Sequence, residues 1–489
     1  MDLRDYQQDA IEALRTSLAS GKKRPVVQMP TGAGKTICAA EIVRMARLKG
    51  NSVIFTVPAI SLVDQTVDRF AANGIYEVGV MQAAHYLTDH TQPVQVASVQ
   101  TLARRQLPKA DIVIVDEAHL MFKFYDRWFN DPDWKDIPIV GLTATPWQKG
   151  MAKLWDDLII GTTTDELIKL GHLSDFKVFA PAHPDLRGVK TVAGDYEIKG
   201  LGSAMNKNEL VADIVSTWLA KADNRPTLCF AVNRLHAKHI QQQFEESGVK
   251  TAYLDAFSTL DERKQVAKDF AEGAVKVVCN VGVLTTGVDW DVRCIILARP
   301  TKSEILFTQI IGRGLRTAEG KDHCLILDHS DTTLRLGFVT DIHHDKLDSG
   351  EKTVVQPKDK IKLPKECPKC HFLRPPGTKV CPACGFEAQP VNKIESVNGE
   401  LYEISRHKKQ VVEDISNKQS FYSELIRYAL DRGYKRGWAW YAFRDKYGMT
   451  PPSWMHHQPA DWVSDATTRY IKYLHIRRAK SRGKHAAQS

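Results

Sequence analysis

Two arginines in a short glycine-containing segment raise the first question about chemistry in this chain. The segment reads QIIGRGLR, residues 309–316, and places Arg313 and Arg316 three positions apart. On a helix this spacing puts both guanidinium groups on one face, where their permanent charges repel each other. The sequence therefore predicts that an anion held elsewhere in the chain lies opposite these two side chains.

A loop near the N-terminus has the composition of a site for such an anion. The segment VVQMPTGAGKT, residues 26–36, follows an apolar run and has Met29 where the general phosphate-loop pattern has glycine. Backbone N–H groups of such a turn wrap a phosphate at a helix N-terminus. Lys35 can reach the β- and γ-phosphates, and the Thr36 hydroxyl can bind Mg²⁺. The residues predicted to hold ATP here are Thr31, Gly32, Ala33, Gly34, Lys35 and Thr36.

An acidic pair follows a second apolar run, DIVIVDEAH, residues 111–119. Asp116 would hold Mg²⁺ together with Thr36, and Glu117 would orient or deprotonate the attacking water. Such a pair at a strand end is often only a polar cap. Its position after a phosphate loop, and before GLTATP at residues 141–146, favours the catalytic interpretation.

The elements that must position these residues are visible as two sets of short apolar runs alternating with helical patterns. The first set includes RPVVQ, NSVIFTV, VQVAS and IPIVGLT, and the second includes PTLCFAV, VKVVCNV, RCIILA and HCLILD. Continuous apolar strands alternating with helices indicate parallel sheets covered on both faces, with ligands beyond the carboxyl ends of the strands. The predicted fold class is α/β with two parallel-sheet lobes.

Together, TGAGKT, DEAH, GLTATP and QIIGRGLR resemble superfamily 2 DEAD/DEAH-box helicases and translocases over residues 1–345, closest to RadD-type bacterial DNA repair helicases and their phage relatives. The resemblance implies two RecA-like lobes with ATP and Mg²⁺ between them. The anion opposite Arg313 and Arg316 is then the γ-phosphate gripped by Lys35. The resemblance further implies Gln7, with Arg4 or Tyr6, at the adenine, and Gly287 and Asp289 facing the nucleotide. It also implies Gln309 in catalysis, Thr143 and Thr145 in coupling, and Thr101, Asn233, Thr285 and Thr286 at the nucleic acid.

Four cysteines form a group of their own in CPKCHFLRPPGTKVCPACG, residues 367–385. Cys367 and Cys370 are separated from Cys381 and Cys384 by ten residues, and two Cys-x-x-Cys turns are the ligand set of a structural zinc. Disulfides are the alternative, which a cytosolic context disfavours. With four protein ligands, Zn²⁺ would fold this module rather than catalyse.

The segment between the lobes contains a second possible metal motif. HPDLRGVKTVAGDYEIKG, residues 183–200, has Asp185, Glu197 and Lys199 in the loose pattern of a metal-dependent nuclease. A nuclease needs a sheet and helices of its own, which this short segment cannot supply. The sequence favours a linker.

Charge is distributed unevenly along the 489 residues. Residues 351–489 hold 26 Lys and Arg against 14 Asp and Glu, a net charge of +12, and four of the ten tryptophans. Basic charge among aromatic residues favours a nucleic-acid partner, with a solvated face as the alternative. No apolar run has the length of a signal peptide or membrane span, so we expect no membrane partner and a cytoplasmic location.

The predicted organisation is two RecA-like lobes in tandem, then a zinc ribbon and a small helical, basic C-terminal region. The boundaries are 1–160 for lobe 1, 161–225 for a connector, 226–348 for lobe 2, 349–364 for a charged linker, 365–388 for the zinc ribbon and 389–489 for the Trp-rich region.

The predicted function is an ATP-dependent DNA helicase or translocase in repair, recombination or phage replication. The short distance from Asp289 to Gln309 leaves little room for a long strand-separating hairpin, which favours translocation or branch remodelling. Expected partners are single-stranded or branched DNA and, through the C-terminal region, a single-strand-binding protein or another repair or replication protein. The alternatives are the motor subunit of a restriction or defence complex and, with weaker support, an RNA helicase.

Overall fold

The computed structural model describes residues 3–82, 85–285, 289–351, 363–387, 415–435, 437–453 and 455–486. The chain divides into two compact units, residues 1–390 and 391–489. The first unit contains two α/β lobes and the four-cysteine module, and the second is helical. Among the described residues, no helix combines the length and the apolar character needed to cross a membrane.

The first lobe is built on a seven-stranded parallel sheet of order β3-β4-β2-β5-β6-β1-β7. Its strands are rich in β-branched residues and mostly buried, as both faces are covered. The strands are β1 (Pro25–Gln28), β2 (Val53–Val57), β3 (Val78–Val80), β4 (Val94–Ser98), β5 (Ile112–Asp116), β6 (Ile139–Thr143) and β7 (Asp157–Ile160). The helices are α1 (Asp5–Ala19), α2 (Lys35–Leu48), α3 (Val63–Ala72), α4 (Val99–Leu102), α5 (Lys123–Phe129) and α6 (Thr164–Lys169), with short 3-10 helices at Ile60–Leu62 and Met151–Lys153.

The second lobe is built on a six-stranded parallel sheet of order β12-β13-β11-β14-β15-β8. Its strands are β8 (Asp175–Phe179), β11 (Thr227–Phe230), β12 (Thr251–Leu254), β13 (Val277–Asn280), β14 (Cys294–Leu297) and β15 (His323–Asp328). A separate hairpin consists of β9 (Thr191–Val192) and β10 (Asp195–Tyr196). The helices are α7 (Ile198–Met205), α8 (Asn208–Lys221), α9 (Arg234–Glu246), α10 (Leu260–Ala271), α11 (Glu304–Gly314) and α12 (Thr332–Leu336).

The segment predicted as a connector, 161–225, contributes to the second lobe. β8 pairs with β15 as the edge strand of the second sheet. Val211, Ile214 and Trp218 of α8 belong to the same buried cluster as Phe244 of α9. The parallel pairing of β8 requires the chain to cross from the first sheet to the second before residue 175, and no local pattern in the sequence marks that crossing.

The two acidic residues of the nuclease-like pattern are used locally. The Asp185 carboxylate pairs with Arg187 at 2.7 Å. Glu197 caps the N-terminus of α7 by accepting hydrogen bonds from the backbone N–H groups of Lys199 and Gly200, at 3.0 and 2.7 Å. Both contacts favour the linker interpretation over a metal-dependent nuclease.

The four-cysteine module extends the second lobe. Its strands, β16 (Lys365–Glu366) and β17 (Leu373–Arg374), form an antiparallel pair. The backbone N–H of Ala180, just after β8, donates to the His371 carbonyl at 3.0 Å. The rings of Phe179 and Phe372 pack edge to face with centroids 5.4 Å apart. The module therefore covers the carboxyl end of the edge strand β8.

The second unit contains α13 (Ile415–Asp431), α14 (Trp438–Tyr447) and α15 (Asp465–Ala486). Phe421 and Leu425 are buried in its core together with Phe443 and Ile471. The GWAWYAF segment contributes Ala439, Ala442 and Phe443 to this core, whereas Trp462 is exposed.

Candidate active site between the two lobes

The phosphate loop lies at the carboxyl end of β1 and is held by the first helix of the chain. Gly32 and Gly34 adopt positive φ angles of +89° and +85°, and α2 begins at Lys35. The Ala33 carbonyl accepts hydrogen bonds from the Tyr6 hydroxyl at 3.0 Å and the Gln7 side-chain amide at 2.9 Å. The two α1 side chains thereby fix the loop. Arg4 lines the adjoining cavity and donates to the Tyr6 hydroxyl at 3.2 Å.

The acidic pair lies at the carboxyl end of β5, opposite the loop. Lys35 Nζ is 3.3 Å from Glu117 Oε1, and Glu117 has a positive φ of +50°. Burial and the Glu117 carboxylate raise the pKa of Asp116 to about 6. Burial opposes ionisation of Glu117 and is the largest single influence, but the charge and hydrogen bond of Lys35 together with His119 and Arg313 outweigh it, so the pKa of Glu117 is lowered. Glu117 is therefore a carboxylate at neutral pH, as a water-orienting group requires.

His119 links the acidic pair to the second lobe, a contact that the sequence did not identify. Burial lowers the pKa of His119 to about 4, so the imidazole is neutral. Its Nδ1 is 2.8 Å from Thr143 Oγ1 and 3.3 Å from Glu117 Oε2. The Gln309 side-chain amide, on α11, donates to Nε2 at 3.2 Å. Because Nε2 accepts, the proton is on Nδ1.

Thr143 and Thr145 lie on the same network. The backbone N–H of Thr145 donates to Thr143 Oγ1 at 3.1 Å, and that hydroxyl also contacts His119. Both threonines are buried. A displacement of the segment after β6 would therefore be transmitted to Glu117 through the Thr143 hydroxyl and the His119 imidazole.

The two arginines do not share a helix face. Arg313 lies in the last turn of α11, but the helix ends at Gly314 and Arg316 follows it. The Lys321 ammonium group accounts for this end, since it donates to the Gly314 and Arg316 carbonyls, both at 2.6 Å. The expectation of one helix face was wrong, because the sequence does not show this side-chain cap.

Both guanidinium groups nevertheless line the same cavity. Arg313 is only 6% exposed, and burial together with the Arg316 charge lowers its pKa to about 10, so it remains protonated at neutral pH. Arg316 contacts the Asp289 carboxylate. Gly312 lies against the phosphate loop so closely that a Cβ atom there would be 2.7 Å from Thr31 Cβ.

A cavity of about 470 Å³ combines these groups. Its cationic lining comes from both lobes: Arg4, Lys35, Arg69, Arg313 and Arg316. Its acidic lining is Asp116, Glu117 and Asp289. Phosphates suit the five cations, and the Thr36 hydroxyl with the Asp116 carboxylate offers the oxygen ligands that Mg²⁺ prefers. The residues present therefore fit a nucleotide with its metal ion.

Arg69 is the second residue that the sequence did not identify. It lies on α3, and its Nη1 donates to the Thr36 hydroxyl at 3.1 Å. It stands four positions, about one helical turn, after Gln65, which ends the segment VPAISLVDQ, residues 57–65. Gln65 also lines the cavity. The position of Arg69 one helical turn after Gln65 was therefore the only signal in the sequence that could have identified it.

The residues predicted to contact nucleic acid lie at carboxyl strand ends. Thr101, on α4 after β4, is 3.0 Å from Ser98 through their hydroxyls. Asn233, after β11, caps α9 by accepting from the His236 N–H at 2.9 Å. Thr285 follows β13 and is largely buried. Thr286 and Gly287 lie outside the described residues.

The four cysteines predicted to bind metal are brought together. Their Sγ atoms all lie within 4.8 Å of one another. Two of the separations, Cys367–Cys384 and Cys370–Cys381, are 3.7 Å. Tetrahedral Zn–S bonds of about 2.3 Å give sulfur–sulfur edges of about 3.8 Å, so the cluster fits a tetrahedral metal.

Comparison with known proteins places both lobes in described families. Residues 1–148 match the family "Type III restriction enzyme, res subunit", and residues 206–318 match "Helicase conserved C-terminal domain". The second match begins inside the predicted connector, in agreement with the position of α8.

Two relatives and one solved structure extend this result. A "51.5 kDa protein" of a Lactococcus phage is 27% identical over 82% of this chain and 86% of its own length. The Saccharomyces cerevisiae protein "Putative ATP-dependent helicase IRC3" is 32% identical over 67% of this chain, which spans about half of that protein (51%). The DNA-bound Type ISP restriction-modification enzyme LlaBIII shares the fold, with a TM-score of 0.51 and 19% identity over 67% of this chain and 27% of that one.

The resemblance to RadD-type helicases in particular stays a prediction. The resemblance to phage proteins agrees with the match to the Lactococcus phage protein. The motifs, the two parallel-sheet lobes and the two family matches agree with one another. The chain belongs to the superfamily 2 helicases and translocases.

Proposed function

We propose that this chain is a DNA-dependent ATPase that moves along or remodels DNA. One observation carries the proposal: Lys35 and Glu117 of the first lobe and Arg313 of the second line a single cavity. Because neither lobe alone supplies the whole set, hydrolysis would require the lobes to be together. Release of the cleaved phosphate would then weaken the link between them, and a motor could use that change to step.

Each side chain has a role that follows from its charge and contacts. Lys35 would bind the β- and γ-phosphates while its ion pair with Glu117 opens. Glu117, ionised and contacting His119, would orient the attacking water. Arg313 would stabilise the charge that develops on the transferred phosphoryl group, since burial makes its field strong. Mg²⁺ held by Thr36 and Asp116 would neutralise phosphate charge when bound.

DNA rather than RNA is supported by the matching family of restriction enzymes. The decisive experiment measures ATP turnover with single-stranded, duplex, forked and four-way DNA and with single-stranded and duplex RNA. We expect stimulation by DNA, with single-stranded or branched forms the most effective. Equal or greater stimulation by RNA would favour the RNA-helicase alternative and contradict the proposal.

A second candidate is the motor subunit of a restriction or defence complex whose nuclease is a separate chain. The match of the first lobe to a restriction subunit family favours it. The two candidate functions predict different protein partners. A motor subunit should co-purify with a nuclease chain and cleave DNA only with it, whereas a repair, recombination or replication enzyme should act on branched DNA by itself.

The basic C-terminal region would hold DNA rather than take part in hydrolysis. Residues 388–489 can be removed while the four cysteines and both lobes are kept. We expect the shortened chain to bind ATP normally and DNA more weakly, with a shallower dependence of affinity on salt. Each lost phosphate contact reduces that slope by about 0.7–0.9. An unchanged slope with loss of a single-strand-binding or other protein partner would make the region a protein-docking module.

A further inference from the structure

The second lobe presents an exposed aromatic ring at the carboxyl edge of its sheet. Phe257 follows β12, and its side chain is 77% exposed. A phenyl ring stabilises a fold mainly when it is buried, so the exposed ring of Phe257 contributes little to stability. All strands of this sheet are parallel. Thr285 follows β13, which pairs with β12, and Asn233 follows β11, the next strand beyond β13. The ring therefore lies at the same edge of the sheet as two residues predicted to contact nucleic acid.

The loop that carries the ring is fixed by its own hydrogen bonds. The Asp255 carboxylate accepts from the backbone N–H groups of Phe257 at 2.8 Å and Ser258 at 3.1 Å. Ser258 Oγ accepts from the Asp255 N–H at 3.0 Å. Arg263 donates to the carbonyls of Asp255 and Ser258, at 2.8 and 3.1 Å. The exposed ring is thus held in place by a rigid loop.

A guanidinium group is anchored over the ring. The central carbon of Arg234 lies 4.8 Å from the Phe257 ring centroid. Arg234 Nε is 2.7 Å from Asp255 Oδ2, on the same carboxyl group that orders the loop. A cation on an aromatic face is itself favourable, and a planar, positively charged pair suits a nucleobase with its phosphate.

We propose that Phe257, supported by Arg234, is a stacking platform for an unpaired base of the bound strand. This inference rests on the proposed function and deepens it. Contacts to the phosphate backbone do not distinguish an unpaired base from an absent one, whereas stacking does. The platform therefore gives the second lobe a preference for single-stranded segments that carry bases.

The test compares a polythymidine strand with an abasic strand of the same length and charge. We expect the parent chain to bind polythymidine about tenfold more tightly than the abasic strand, the order of magnitude of one stacked base. Phe257→Ala and Phe257→Leu should lose this preference, because neither retains an aromatic face, and Phe257→Trp should keep it. The salt dependence should not change, since the phosphate contacts remain.

Two matched controls define the site. Tyr76→Ala removes a similarly exposed ring, 79% exposed, that precedes β3 and so lies at the opposite edge of the other sheet. Leu260→Ala removes an exposed apolar side chain next to the loop that has no aromatic face. Both should retain the preference. Thermal unfolding of each variant checks that the fold is unchanged.

Three results would overturn the inference. If Phe257→Ala keeps the parent's preference, the ring does not stack on a base. If Leu260→Ala abolishes the preference as fully, the surface is a general apolar one, suited to a protein segment. If the parent chain binds neither strand and its ATP turnover is not stimulated by DNA, the proposed function fails and this inference fails with it.

Discussion

The two lobes share one architecture but place different chemistry at the carboxyl edges of their sheets. In the first lobe, Lys35 and Glu117 are mostly buried and already paired with each other. In the second lobe, Arg313 is buried against the first, whereas Phe257 faces solvent. The first lobe therefore holds most of the nucleotide site. The second lobe supplies the two arginines, Arg313 and Arg316, that complete it, and it also carries Phe257, which is available to another ligand. A shared fold does not fix function; the side chains at its loops do.

The largest expected effect comes from the first lobe. Lys35→Ala and Glu117→Gln should both reduce ATP turnover below detection, the first by loss of phosphate binding and the second by loss of the carboxylate at the water. Measured nucleotide binding should separate them, because Glu117→Gln keeps the phosphate loop intact. Full turnover in either variant would show that the chemistry lies elsewhere.

Arginine substitutions test whether the second lobe acts on the transition state. Arg313→Ala should reduce turnover by about 10³- to 10⁵-fold, as measured for arginine fingers, while ATP affinity falls far less. Arg316→Ala should also reduce turnover by orders of magnitude. Arg187→Ala, an exposed arginine paired only locally with Asp185, is the matched control. Normal turnover in Arg316→Ala would leave the role to Arg313 alone or to neither.

A double-mutant cycle sharpens the comparison at the contact between the lobes. His119→Ala and Gln309→Ala should each lower DNA-stimulated turnover about tenfold, because both remove the same bond from the network at Glu117. The double variant should lose little more, which corresponds to a coupling energy of about 1–2 kcal/mol. Additive losses would mean that the two side chains act independently.

The smallest effect on turnover should come from the four-cysteine module. Metal removal by a chelator, or Cys381→Ser, should release the module from β8 and destabilise the second lobe, because a closed metal site contributes folding free energy. Thermal unfolding should show an added, earlier transition, with turnover at low temperature reduced only a few-fold. Restoring Zn²⁺ should reverse the chelator effect. An unchanged unfolding curve would show that the four-cysteine module does not contribute to the stability of the second lobe.

The sequence was informative where residue types alone determine the outcome. Parallel strands bury apolar runs, so both lobes could be predicted, and the four cysteines from Cys367 to Cys384 could be grouped into one metal site from their spacing. Arg69 could not be assigned, because its approach to Thr36 depends on the packing of α3 beside α2. His119 stood inside a recognised motif, yet its partner Gln309 is on the other lobe. The end of α11 depends on Lys321, which no helix pattern includes.

The close approach of Gly312 to Thr31 has a consequence for control of the motor. The clearance between the lobes at this point is smaller than one methyl group, so the lobes can meet there only because residue 312 has no side chain. An alanine at 312 would act as a wedge that alters no catalytic side chain but holds the two arginines back from the nucleotide. Such a variant would occupy DNA with ATP bound and fail to advance, blocking the track for active copies.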